Sequence, residues 1–136
     1  MSEQNVKANL LQNGDFSSKG QHWTVTNPGH ADFEDKSCAL KAPASITQDV
    51  TATGAEYRFS VKMKSNPGSA CRAQVLAHPS NESKFLNIGS GQPWGAHHVN
   101  FTAPAGTTKI TVKLEANDGQ ELIFGSHFDD ARLETR

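Results

Sequence analysis

YRFSVKMK, residues 57–64, alternates without a break: Tyr57, Phe59, Val61 and Met63 fall on one side of an extended chain, Arg58, Ser60, Lys62 and Lys64 on the other. A helix would scatter these two sets around its circumference, whereas a strand places them on opposite faces. KITVKLEA, residues 109–116, repeats the pattern, with Ile110, Val112 and Leu114 against Thr111, Lys113 and Glu115. HVNFTA, residues 98–103, sets Val99 and Phe101 against His98, Asn100 and Thr102. ACRAQVLAH (70–78) and ASITQDV (44–50) read as further strands. One wet and one apolar face per strand is the pattern of antiparallel sheets packed on a single side.

Turn signals punctuate these runs at Asn27-Pro28-Gly29, Thr53-Gly54, Asn66-Pro67-Gly68, Pro104-Ala105-Gly106 and Asn117-Asp118-Gly119. Each supplies a fixed φ or a residue tolerant of positive φ. No window carries a helical stripe, and no repeat or linker divides the chain. Short strands separated by regular turns predict an all-β protein, a sandwich or barrel without crossover helices. The length of 136 residues suits one domain with one core. The expected division is a frayed polar segment over 1–8 and a folded domain over 9–136.

The 13 basic and 14 acidic side chains leave a net charge of −1. A nucleic-acid partner would call for a basic stripe, and none is present. No apolar run reaches the roughly 18 residues of a membrane span. MSEQNVKAN has neither the basic nor the apolar part of a signal peptide, so the expectation is a cytoplasmic protein or export by a signal-independent route. Cys38 and Cys71 allow one disulfide or two buried free thiols, and their spacing does not choose between these. Two cysteines do not make a structural zinc site, which takes four clustered ligands.

The ends of the chain carry the remaining signals. NLLQNGDF (9–16) and HFDDARLE (127–134) set acidic, carbonyl-rich turns beside aromatic residues. Taken in order, NLLxNGxF, Trp23, SITQDV, YRFSVKMK, FTAPAGTT and FDDAxL resemble the jelly-roll carbohydrate-binding modules of the galactose-binding-like superfamily. The similarity is greatest to families 4, 9 and 22, and it runs from about Asn9 to Leu133. It implies a two-sheet antiparallel jelly-roll β-sandwich and a non-catalytic, lectin-like domain whose partner is a glycan or polysaccharide. A lectin of this kind would gain avidity as an oligomer. The other function consistent with the fold is a protein–protein interaction or toxin-accessory domain that binds no sugar.

The resemblance also implies a structural Ca2+ where the first turn meets the last strand, with Asp15, Asp129 and Asp130 at the matching positions. The family's Glu after the Phe of the first motif is Ser17 here, so Asp15 or Glu34 would have to compensate. The alternative role for the aspartates is to accept hydrogen bonds from amides of the first turn. Two adjacent carboxylates on a regular strand point to opposite faces.

Saccharide sites combine aromatic platforms with a few polar groups. Trp23, Trp94 and Tyr57 match positions expected in or near the core, as do Phe16, Phe59, Phe101 and Phe128. Phe33, Phe85 and Phe124 remain as candidates for exposure. Outward-facing Arg58, Lys62, Arg72, Gln74, His78, His98 and Asn100 are expected to converge on one sheet face, and their donors and acceptors suit sugar hydroxyls. The candidate glycan-binding set is therefore Phe33, Arg58, Lys62, Arg72, Gln74, His78, Phe85 and His98. Loops 29–36 and 78–93 offer a second location. His97-His98 on a strand cannot aim both rings at one centre. Asp129 and Asp130 do not face each other across a cleft as a hydrolase pair must, and no catalytic residue is expected.

Overall fold

A computed structural model describes residues 8–33, 36–116 and 123–136. The expected fraying of residues 1–8 therefore lies, apart from Ala8, outside the described residues, as do Glu34 and the turn at 117–119. Ten strands are described, in chain order β1 (Thr24–Thr26), β2 (Ala31–Asp32), β3 (Cys38–Leu40), β4 (Ala44–Thr51), β5 (Glu56–Ser65), β6 (Cys71–His78), β7 (Ser83–Ile88), β8 (Gly95–Thr102), β9 (Lys109–Ala116) and β10 (Ser126–Thr135). They form two antiparallel five-stranded sheets, with order β1-β4-β9-β6-β7 in sheet A and β2-β3-β10-β5-β8 in sheet B. Apart from the consecutive pairs β6-β7 and β2-β3, neighbouring strands are distant in sequence, as in a jelly roll. No described helix is long and apolar enough to cross a membrane.

The alternation seen in the sequence is the burial pattern of the strands. On β5, Tyr57, Phe59, Val61 and Met63 are buried, and on β9, Ile110, Val112 and Leu114 are. Of the two sheets it is sheet B that supplies rings to the core (Tyr57, Phe59, Phe101, Phe128), joined by Phe16 and Trp23 from the first loop, while sheet A supplies Ala73, Val75, Ala77, Ile110 and Val112. Small residues on one sheet leave room for rings on the other, so the two inner faces interdigitate. Cys38 and Cys71 are buried free thiols within this core. Burial pushes the Cys71 thiol up to about 11, so neither its thiolate nor its reactivity is available near neutral pH.

The chain between 78 and 93 is not the long loop expected from its Pro, Asn and Gly content. Ser83–Ile88 forms β7, the edge of sheet A, paired with β6 from Cys71↔Ile88 to Leu76↔Ser83. An edge strand covered on one side lacks a continuous buried face, and its pattern of exposed Lys84, Phe85 and Asn87 hides the period.

The first motif staples the sandwich together without being a strand. Leu10 N–H donates to Leu133 O (2.8 Å), and the Asn9 carboxamide then takes the place of a peptide group. Its Oδ1 accepts from Leu11 N and Leu133 N (both 3.0 Å), and its Nδ2 donates to Ala131 O (3.0 Å). One residue further, Gln48 of β4 accepts from Gln12 N (2.7 Å) and donates to Gln12 O (2.9 Å). Residues 9–12 are thus tied to sheet B by one amide side chain and to sheet A by another. Gly14 completes the crossing. Ala131 N–H donates to Gly14 O (2.9 Å), and a Cβ on Gly14 would stand 2.1 Å from Ala131 O.

Candidate saccharide-binding face

The outward residues do not converge on one face. Alternation tells in from out, but both sheets have an outside. Arg58, Lys62, His98 and Asn100 lie on the outer face of sheet B, whereas Arg72, Gln74, His78 and Phe85 lie on that of sheet A. Phe33 belongs to neither: partly buried, its ring packs 5.9 Å from the buried Phe16, which lies 5.5 Å from the buried Trp23. Phe124 is partly buried, with Lys41 Nζ 4.8 Å from its ring centre.

The correction with most consequence concerns Trp94. It is not a core residue; 44% of it is exposed, the largest share among the exposed large hydrophobic residues. It precedes β8, between Pro93 and Gly95. Its indole leans on the His127 ring of β10 at 6.2 Å between centres. A surface hollow of about 420 Å³ lies beside it, lined by Lys62, Trp94, Gly95, Ala96 and Asp129. A neighbouring hollow of about 310 Å³ shares Lys62 and Ala96 and adds Ser60, Val61, Asp130 and Arg132. Together they form a trough across three strands of sheet B, with an indole at one end and charged and hydroxyl groups along the rest.

A backbone irregularity aims the carboxylates. The β5–β10 register runs Asp129↔Lys62 and then shifts before Arg132↔Ser60, and Asp130 sits at φ 46. This bulge breaks the strict alternation expected for adjacent aspartates and leaves both half-buried. Asp129 Oδ1 accepts from Asp130 N (2.8 Å), and Asp130 Oδ2 pairs with Lys62 Nζ at 2.9 Å. Among the described residues neither carboxylate accepts from the first turn; there the Gly14 carbonyl accepts from Ala131 N–H. Burial pushes the Asp129 carboxyl above its ordinary value, and the adjacent Asp130 and more distant Asp15 charges act in the same direction. Burial also holds His127 below the usual histidine value, with the Lys64 charge adding to the effect. Burial thus disfavours the charged form of both groups beside the indole: Asp129 holds its proton more tightly and His127 less tightly than in water.

Of the three residues expected to hold calcium, Asp15 and Asp130 line one small hollow with Asn9, Asn13 and Gly14. Asp129 faces the Trp94 trough instead. No group of three or more His, Cys, Asp or Glu side chains able to hold a metal is found among the described residues. The first loop is held by hydrogen bonds of its own. Asn13 Nδ2 donates to Lys19 O (2.7 Å) and Gln21 O (2.9 Å), and Asn13 Oδ1 accepts from Ser18 N (2.9 Å). Asp15 Oδ1 accepts from Ser17 N (3.1 Å), the position where the family's Glu would stand.

No protein-family profile and no curated protein sequence matches the chain. Solved structures do. The chain is similar to TmCBM61, solved with β-1,4-galactotriose, at TM-score 0.67 and 17% identity over 95% of this chain and 99% of that one. The jelly-roll fold of that structure is the fold of this chain. The CBM22-1 xylan-binding domain of Paenibacillus barcinonensis Xyn10C gives TM-score 0.62 and 13% identity, covering 98% and 97% of the two chains. The enzymatically active domain of bacteriophage CBA120 tailspike protein 4 gives TM-score 0.68 and 16% identity, and this chain spans 21% of its length. Single modules are thus matched almost end to end, and a larger enzyme only over the part with this fold.

Proposed function

We propose that the protein is a non-catalytic carbohydrate-binding module that holds a polysaccharide along the outer face of sheet B. The exposed Trp94 indole at the end of the Lys62–Asp129 trough carries this reading. A pyranose has an apolar face that stacks on such a ring and a rim of hydroxyls that needs nearby donors and acceptors. Asp129 accepts from a hydroxyl; Lys62 and Arg132 donate. The Lys62–Asp130 pair is about half exposed, so it holds Lys62 only weakly and releases it to a ligand at little cost. Basic and acidic groups alternate along the trough, which suits a neutral chain better than a uronate. Structures of this fold solved with β-1,4-galactotriose and cellotriose support the same class of ligand. The expected ligands are neutral oligosaccharides. Screening the protein on a glycan array tests this: selective retention of one neutral sugar class is expected, and a blank array would favour the interaction-domain alternative.

The acid limb of binding should report Asp129. Its folded-state pKa lies above the unfolded value, so ionisation works against folding, a contribution favourable at low pH and lost as pH rises through the folded pKa. Binding has the opposite sign, because the hydroxyl is accepted by the ionised form. Affinity should hold from about pH 8 to about pH 6 and then fall at a pH above the ordinary aspartate value of about 3.9. Asp129→Asn should lower affinity and flatten this limb; an unchanged acid limb in that variant would remove Asp129 from the site.

We propose further that the fold holds without calcium. Equal melting temperatures in EDTA and in millimolar calcium are expected. A rise of several degrees with calcium would show a cation bound to the native state and would overturn this proposal.

A further inference from the structure

The chain's two cysteines come from opposite sheets and approach each other at the corner where those sheets close. The chain leaving β5 lies against the start of β10: Asn66 N–H donates to Gly125 O (2.9 Å), and the buried Ser126 hydroxyl donates to Ala70 O. Cys71, the first residue of β6, is thereby held beside sheet B although its strand belongs to sheet A. Its Sγ faces Lys64 O at 3.1 Å and His127 O at 3.7 Å, the two residues of a single β5–β10 rung. That rung continues into β3 at Ala39, and the next pair along is Phe128 with Cys38. Both cysteine side chains point into the same core, Cys38 at 0% and Cys71 at 2% exposure. The sulfur from sheet A thus rests one rung from Cys38. Burial pushes the Cys38 thiol well above its ordinary value, and a charge on Cys71 adds to the effect, as for two sulfurs sharing one apolar cleft.

We infer that Cys38 and Cys71 form a disulfide joining sheet A to sheet B when the chain folds in the presence of a small-molecule disulfide such as oxidised glutathione. Closure takes two exchanges. One cysteine thiolate attacks a sulfur of the reagent and expels one thiolate, leaving a mixed disulfide. The other cysteine attacks the protein-bound sulfur of that mixed disulfide and expels the second thiolate. The two protein thiols are oxidised, the reagent's S–S bond is reduced to two thiols, and the two cysteine protons end on these. The timing follows from burial. Both thiols stay protonated in the closed core, so the bond forms before the sheets exclude the reagent and is shielded from reductants afterwards. The inference is independent of what the outer faces bind.

The test unfolds the full chain in urea and refolds it with reduced and oxidised glutathione or with dithiothreitol, followed by alkylation in urea. Refolding with glutathione should yield a monomer two hydrogens lighter that takes up no alkylating agent, and proteolysis should release a peptide pair linking Cys38 to Cys71. The dithiothreitol sample should take up alkylating agent at both cysteines. The bridged form should melt about 10 °C higher, because a cross-link restricts the unfolded chain. Cys71→Ala should show no such rise between the two buffers; Cys38→Ala makes the same comparison if Cys71→Ala does not fold. Two alkylated cysteines after refolding with glutathione, a disulfide between two copies, a bridged form that melts below the reduced one, or the same rise in the alanine variant would overturn the inference.

Discussion

Replacing Asn9 with leucine should destabilise the domain by about 3 kcal/mol, which for a chain of this size lowers the melting temperature by roughly 10 °C. The side chain accepts from two amides and donates to one carbonyl, and all three partners lie between the first motif and β10. Leucine of similar volume leaves Leu11 N–H, Leu133 N–H and Ala131 O without partners in a partly buried crossing. An unmade hydrogen bond there costs more than a made one contributes. Asn9→Asp separates the two halves of the role: it keeps the acceptor but sets an oxygen against Ala131 O, so an intermediate loss is expected. Asn87→Ala, on an exposed position of β7, should stay within about 0.5 kcal/mol of the wild type. Urea unfolding of the three variants checks the order. Wild-type stability in Asn9→Leu would mean that the first motif is not what joins the two ends of the chain.

Trp94→Ala should lower affinity for the preferred oligosaccharide by about 2 kcal/mol, roughly thirtyfold, while leaving the melting temperature unchanged. The indole is exposed and contributes little to the core, so the loss would fall on binding alone. Trp94→Phe should recover part of the affinity, since a smaller ring still offers a flat apolar face. Trp23 provides the contrast. It is 7% exposed, packs on Phe16 and donates from Nε1 to Asn13 O, so its truncation should cost stability first.

The fold was legible because alternation survives in strands with one buried face. Tyr57 to Met63 and Ile110 to Leu114 read directly as core, and both are. β7 was not legible, because an edge strand need not bury every second residue. The site was legible only in composition. Arg58, Lys62 and His98 read correctly as outward, as did Arg72, Gln74 and His78, but nothing in a period of two says which sheet a strand joins. That depends on pairings such as β5 with β8 and β6 with β9, made across long stretches of chain. Trp94 was misplaced because tryptophans usually find a core, whereas this one stands exposed just ahead of β8. The bulge at Asp130 likewise leaves no mark on composition, yet it decides where two carboxylates point.

The central claim is that Trp94 meets a sugar. Of the two tryptophans only Trp94 is exposed, so a titration of intrinsic fluorescence with xylohexaose, cellotriose and β-1,4-galactotriose reads that contact directly. A saturable blue shift with at least one of these, absent in Trp94→Phe, is the predicted result. Emission unchanged at millimolar concentrations of all three, with the protein folded, would contradict it.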